Sequence, residues 1–149
     1  MILIFKIDGE PVPKGRPKFS TRGGYVKAYT PKKTAEYEKK VADTFRECFP
    51  DHTPIPRDVP LEVDVAITKA IPKSFTKAQK KEAKEQKLFP TKKPDADNYL
   101  KTILDALNGV AWEDDAQIIV ASVGKFYGEK PYASVSIREK EIWDLGDYE

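Results

Sequence analysis

The chain has 149 residues, of which 40% are hydrophobic, 34% are charged and 12 are prolines. This length and composition are typical of one domain, residues 1–149, with a hydrophobic core and a loop-rich surface. A single cysteine excludes a disulfide framework within one chain, and the apolar run at residues 1–5 is too short for a signal peptide or a membrane span. We therefore expect a cytoplasmic protein with no membrane segment.

The first third of the chain predicts one strand and one helix. Residues 2–7 predict the strand, and residues 8–30 predict a long loop rich in glycine and proline. Thr30 followed by Pro31 is typical of a helix start, so a helix is expected to run to about residue 49. Its inner face is expected to be a buried stripe: Tyr37, Val41, Phe45 and Cys48.

The remaining chain predicts three further strands and two helices. Residues 61–67 alternate between apolar and polar side chains, which is the clearest strand pattern in the sequence. Ser74 is expected to cap a lysine-rich helix over about 75–88. Residues 118–127 and 132–138 predict a hairpin. Together with a helix just before that hairpin, these elements predict an α+β fold, a mixed sheet of about four strands with three helices.

The helix before the hairpin has a predicted start, stripe and end. Asp97 is expected to be its N-cap, and Asn108-Gly109 is typical of a helix end. Its apolar residues follow the i, i+3, i+4, i+7 spacing of a buried stripe: Leu100, Ile103, Leu104 and Leu107.

Two clusters of carboxylates flank this helix: Asp95 and Asp97 before it, and Glu113, Asp114 and Asp115 after it. Crowded carboxylates repel each other, so a fold that gathers them usually holds a cation, and Mg²⁺ or Mn²⁺ prefers such oxygen ligands. Lys101 follows Asp97 by one helical turn, which would place an ammonium group beside the metal and a reacting phosphate. Taken singly, these residues can also be ordinary caps, turn residues and surface ion pairs.

The net charge of +2 hides a segregation of charge along the chain. Residues 11–33 contain seven basic and no acidic residues, and residues 69–93 contain nine lysines against two glutamates, a net of +7. Residues 94–149 contain five basic and twelve acidic residues, a net of −7. One basic segment is commonly just a solvated surface, but two beside an acidic cluster fit a nuclease, which binds phosphates with cations and its metal with carboxylates. The candidate DNA-binding residues are Lys14, Arg16, Lys18, Lys27 and Lys93.

Residues 94–118 resemble a known family signature. The motifs are Pro-Asp-Ala-Asp-Asn-Tyr-Leu-Lys, Asp-Ala-Leu-Asn-Gly and Asp-Asp-Ala-Gln-Ile, and they are similar to those of the RusA family of Holliday junction resolvases. Looser similarity extends to the Gly-Glu-Pro-Val-Pro-Lys-Gly-Arg-Pro stretch near the start and to residues 71–74. The resemblance implies a Mg²⁺-dependent, homodimeric endonuclease of bacteria, phages and prophages that cleaves four-way, branched DNA in recombination and repair.

The resemblance also implies roles for individual residues. Asp95, Asp97 and Asp115 would be catalytic metal ligands, and Lys101 would be a catalytic residue that assists at the phosphate. Asp114 stays open as the alternative to Asp115. The symmetry of a four-way junction suits an isologous dimer, and the candidate interface is the strand pair 118–138 with the apolar tail around Trp143.

Two other functions stay open on the sequence. One is a non-catalytic nucleic-acid-binding module in which the acidic residues only balance the lysines. The other is a metal-dependent phosphohydrolase that acts on small phosphate esters, although two broad basic segments are more than such a substrate needs. The motif match favours the nuclease over both.

Overall fold

The computed structural model describes residues 1–141, apart from the side chains of Lys18 and Arg22. The tail around Trp143, one of the expected interface segments, lies outside these residues. The helices and strands in chain order are β1 (Ile2–Asp8), β2 (Lys18–Ser20), β3 (Lys27–Tyr29), α1 (Lys32–Cys48), β4 (Leu61–Ala70), α2 (Lys77–Lys84), α3 (Ala96–Leu107), β5 (Ile118–Gly128) and β6 (Tyr132–Glu139). The described chain thus has three α-helices and a mixed four-stranded sheet, which confirms the α+β prediction.

The strand order of the main sheet is β1-β6-β4-β5. Strand β6 pairs antiparallel with both β1 and β4, whereas β4 and β5 are parallel. The predicted hairpin between β5 and β6 is therefore wrong, although both strands form. Strand β4 lies between them because its alternating apolar residues Val63, Val65 and Ile67 bury a whole face, while most positions of β5 stay partly exposed, as suits an edge.

The parallel pairing of β4 with β5 determines where α3 lies. Parallel neighbours need a long crossover connection, and residues 71–117 supply it with α2 and α3. Helix α3 packs against α1 and β5. The core is formed by α1, α3 and the facing side of the sheet, and its fully buried large side chains include Phe45, Leu61, Tyr99, Ile103 and Trp112.

The buried stripe of α3 differs from the predicted one. Ile103 and Leu107 are fully buried as expected, but Leu100 and Leu104 only pack at the edge of the core. Their place is taken by Tyr99, Thr102 and Ala106. The 3.6-residue period allows two neighbouring stripes here, and the large Tyr99 ring selects the other one.

Helix α1 confirms three of its four predicted buried residues. Tyr37, Val41 and Phe45 are buried, but Cys48 is exposed, so the prediction that it packs in the core is wrong. The next residue, Phe49, packs against the core instead, with its ring centroid 5.1 Å from that of Phe45.

The remaining differences concern local ends and one short hairpin. Helix α2 is shorter than predicted and is capped by Thr76, not Ser74. Thr76 Oγ1 accepts the N–H of Gln79, and the Gln79 side chain accepts the N–H of Thr76. A lysine stands three residues after Ser74 and cannot return such a bond. The loop at 8–30 contains the small antiparallel pair β2–β3. Across residues 1–141, no helix has both the length and the apolar character that a membrane crossing needs.

Candidate active site

The start of α3 carries two of the predicted site carboxylates. Asp95 is the N-cap residue and Asp97 lies in the first turn, so the prediction of Asp97 as N-cap is wrong. Directly before the helix, Nζ of Lys125 in β5 donates hydrogen bonds to the backbone oxygens of Lys92 and Pro94, both at 2.9 Å. Both aspartate side chains are exposed, and that of Asp95 makes no capping hydrogen bond. Their negative charge suits the positive end of the helix dipole.

Lys101 lies one turn further along α3, as the spacing predicts. Its Nζ is 3.8 Å from Oδ2 of Asp105, and its side chain is 63% exposed. The same Asp105 oxygen is 3.0 Å from Nζ of Lys14, in the loop after β1. An exposed i, i+4 pair at this distance constrains a lysine only weakly, so the Lys101 ammonium is accessible to a ligand.

The second acidic cluster forms a 3₁₀ turn at Asp115–Gln117. Asp114 caps this turn, because its Oδ1 accepts the N–H of Ala116 at 3.0 Å while the Gln117 side chain accepts the N–H of Asp114, also at 3.0 Å. The Asp115 side chain takes no part in this cap, and its Oδ1 accepts the indole N–H of the fully buried Trp112 at 2.6 Å. These hydrogen bonds therefore use Asp114 as a cap and fix the orientation of the Asp115 carboxylate.

The pKa of the Asp115 carboxyl is raised above its usual value of 3.8. Burial is the largest cause, and repulsion from Asp105 and Asp114 adds to it, whereas the Trp112 hydrogen bond and Lys101 act in the opposite direction. The fold thus disfavours the ionised form of Asp115. A nearby cation would relieve that penalty.

We expect Asp115→Asn to leave the stability of the protein at pH 7 unchanged or higher, because asparagine can still accept the Trp112 N–H and carries no charge. A raised native pKa means that stability is lost as pH rises above 3.8 through the native pKa. The advantage of Asp115→Asn should therefore grow over that interval. Asp115→Ala should instead cost about 1–3 kcal/mol, because it leaves a buried indole N–H unpaired. Urea unfolding of the three proteins at several pH values measures both effects; equal losses for the two variants would contradict this role of the hydrogen bond.

The structure brings some of the predicted site residues together but not all of them. The charges of Asp105 and Lys101 act on the pKa of the Asp115 carboxyl, so the 3₁₀ turn lies beside the middle of α3. Asp97 is two helical turns from Asp105, or about 12 Å along the axis. Within residues 1–141, no three His, Cys, Asp or Glu side chains are grouped so that they could hold a metal ion. Metal binding by Asp95, Asp97 and Asp115 stays a prediction.

Lys14, one of the predicted DNA-binding residues, is held by two carboxylates. Its Nζ lies 2.6 Å from Oε1 of Glu38 in α1 and 3.0 Å from Oδ2 of Asp105 in α3. Burial lowers the pKa of Lys14, but hydrogen bonds and attraction to these two carboxylates outweigh it, so that the pKa is raised. Its side chain is only 18% exposed.

The other predicted DNA-binding residues are distributed around the start of α3. Arg16 and Lys93 are exposed and line a cleft of about 360 Å³ together with Asp95. Lys27 is exposed on β3, and the side chain of Lys18 on β2 lies outside the described part of the chain. Contact of these residues with DNA stays a prediction.

Sequence reasoning missed three residues that shape this site. In the sequence, Glu38 fits a solvated helix face and Lys125 is one polar residue within a strand, so neither pattern indicated a role in the site. Trp112 did give one, since a tryptophan directly before an acidic cluster can supply an N–H donor to a carboxylate.

The protein is a small α+β domain in which basic residues border the carboxylates of one helix. This arrangement of charge suits a protein that acts on nucleic acid. A sequence model of the family described as endodeoxyribonuclease RusA matches residues 8–138. The chain is also similar to a Bacillus subtilis (strain 168) protein named uncharacterized protein YqaN, with 41% identity over 135 residues that cover 91% of this chain and 94% of that protein. The chain belongs to the RusA endodeoxyribonuclease family.

Proposed function

We propose that this chain is a Mg²⁺-dependent endonuclease that resolves four-way DNA junctions by paired phosphodiester hydrolysis, as a cytoplasmic homodimer. Family membership supports an endodeoxyribonuclease that acts on Holliday junctions. The observation that carries the proposal is that the family match spans the motif residues, and that these residues lie on α3 and the adjacent 3₁₀ turn: Asp95, Asp97, Lys101 and Asp115.

The donor set of this proposed site fits a hard divalent cation. Asp95, Asp97 and Asp115 would hold Mg²⁺, and Mn²⁺ could replace it. The exposed Asp95 side chain is not engaged as a cap, and Asp115 is a carboxylate whose charge the fold leaves undercompensated. When bound, the ion would supply an activated water and stabilise charge on the phosphate oxygens.

The remaining residues of the proposed site would act on the phosphate. Lys101 presents an exposed ammonium that can neutralise charge as it develops on the phosphoryl oxygens. Arg16 and Lys93 line the cleft beside Asp95 and can bind a backbone phosphate, the guanidinium through paired hydrogen bonds. Such contacts position DNA without reading its sequence.

Three labelled substrates test this function against its alternatives: a synthetic four-way junction, a duplex of the same sequence, and a small phosphate ester, each with and without Mg²⁺. We expect cleavage of the junction only when Mg²⁺ is present. A metal-independent gel shift without cleavage would instead identify a non-catalytic binding module. Hydrolysis of the ester without any junction binding would identify a small-molecule phosphohydrolase.

A homodimer would provide two acidic sites related by the same two-fold symmetry as the junction. Strand β6 is paired on both sides and has no free edge. Within the expected interface segment 118–138, the candidate is therefore β5, which lies at the edge of the sheet and carries Ile119 with an exposed fraction of 49%. We expect analytical ultracentrifugation at micromolar concentration to give about twice the chain mass of 16.9 kDa. A monomer that makes both nicks without assembling on DNA would contradict the dimer.

A further inference from the structure

The loop that follows β1 is fastened to two helices at one point. The backbone N–H of Lys14 donates to the oxygen of Asn98 in α3 at 2.9 Å. The N–H of Gly15 donates to Oγ1 of Thr34 in α1 at 3.2 Å, and the same hydroxyl donates to the oxygen of Pro13 at 3.3 Å. Three consecutive loop residues therefore bond to α1 and α3, although the segment between β1 and β2 has no regular structure of its own.

The Lys14 side chain adds a charged connection at the same point. It bridges Glu38 of α1 and Asp105 of α3, and the exposed fractions of the three side chains are 18%, 22% and 29%. Ion pairs that are partly withdrawn from water are screened by salt much less than surface pairs. An ammonium held in this way is poorly placed to bind DNA, but it can keep the loop against both helices.

This fastening determines the shape of the cleft beside Asp95. One wall belongs to the loop, with Pro13, Lys14 and Arg16, and the other belongs to the start of α3, with Lys93, Pro94, Asp95 and Asn98. The cleft has a volume of about 360 Å³ and combines two exposed cations, Arg16 and Lys93, with one candidate catalytic carboxylate, Asp95.

We propose that Lys14 is a positioning residue: by bridging Glu38 and Asp105 it holds Arg16 opposite Lys93, so that the two cations and Asp95 form one subsite for a DNA backbone phosphate next to the bond that is cut. The subsite rests on the proposed nuclease function. The anchoring of the loop does not, and it can be measured without DNA.

Two variants with opposite electrostatic effects distinguish positioning from direct DNA contact. Lys14→Met removes a positive charge, and Glu38→Ala removes a negative one. If Lys14 bound a phosphate directly, Lys14→Met would weaken junction binding and Glu38→Ala, which frees the lysine, would strengthen it. Positioning requires both variants to slow single-turnover cleavage of the bound junction, Lys14→Met by about 10- to 10²-fold, as is typical of a misplaced group. Opposite effects of the two variants would overturn the proposal.

Lys39→Met is the matched control for the loss of an ammonium. Lys39 lies on α1 and its Nζ is 2.6 Å from Oδ2 of Asp43, but its side chain is 77% exposed and takes part in none of the loop contacts described above. We expect this variant to cleave at the wild-type rate. In addition, Arg16→Met should slow wild-type protein but not slow Lys14→Met further, since Arg16 is already misplaced there; additive losses would show that the two residues act independently and would overturn the proposal.

Amide hydrogen exchange of the DNA-free protein measures whether Lys14 anchors the loop. In Lys14→Met the amides of residues 14 and 15 should lose protection, while those in β4 should keep it. Unchanged protection at residues 14 and 15 would show that Lys14 does not hold the loop, whatever its effect on cleavage. If the wild-type protein cleaves no junction, the nuclease function fails, and exchange still decides whether Lys14 anchors the loop.

Discussion

Replacing Asp95, Asp97 or Asp115 with asparagine is expected to abolish cleavage of a four-way junction while leaving junction binding intact or tighter. Each change keeps the shape of the side chain but removes the charge that a metal ligand needs. It also removes negative charge near the phosphates, which lessens repulsion of the DNA. Single-turnover cleavage on denaturing gels and gel-shift titration measure the two effects separately.

Two other aspartates provide matched controls. Asp114→Asn should keep most of the activity, because asparagine caps the 3₁₀ turn about as well as aspartate. Asp43→Asn, on the exposed face of α1, should cleave normally. Cleavage at nearly the wild-type rate by any of the three site variants would remove that residue from the site. Loss of activity in Asp114→Asn with normal cleavage in Asp115→Asn would exchange the roles of the two.

Replacing Lys101 with alanine should slow cleavage of the bound junction by about 10²-fold or more, comparable to the loss of one preorganised donor at a reacting centre. The ammonium is accessible and its Asp105 contact is loose, so it can turn toward a phosphate. If the residue were only half of a surface pair, the variant would lose less than about 1 kcal/mol of stability and no activity. Single-turnover rates at saturating protein decide between these outcomes.

Lys81→Ala is the control for Lys101→Ala. Lys81 forms the same i, i+4 contact on α2, with Nζ 3.9 Å from Oε1 of Glu85, and its side chain is 78% exposed. We expect its removal to affect binding weakly and the rate of the bound complex not at all. Equal slowing by the two variants would mean that the lysines contribute only general positive charge.

The sequence predicted the elements that depend on local patterns. Alternation gave β4, the Asn108-Gly109 pair marked the end of α3, and the acidic motifs marked the family. What it could not predict was the arrangement that depends on competition between distant segments. The connection between β5 and β6 is short enough for a hairpin, but β4 has the more continuous apolar face and separates them.

The same limit applies to the candidate site. The charge of Lys14 suggested a phosphate-binding role, but only the packing of α1 beside α3 brings Glu38 and Asp105 to its ammonium. Likewise, the motif left Asp114 and Asp115 as alternatives, and the turn geometry shows that Asp114 is used as a cap while Asp115 is bonded to Trp112. The contacts of Lys14 join distant segments, whereas those of Asp114 and Asp115 depend on side-chain directions within a local turn, and residue spacing contains neither.

Mapping the incisions in a synthetic four-way junction tests the proposed function most directly. All four strands are labelled in turn and incubated with wild-type protein in Mg²⁺ or in EDTA. We expect Mg²⁺-dependent nicks at symmetric positions in two opposite strands, and none in EDTA or in a duplex of the same sequence. Cleavage that persists in EDTA, or a junction that is bound but left intact in both Mg²⁺ and Mn²⁺, would contradict a metal-dependent junction endonuclease.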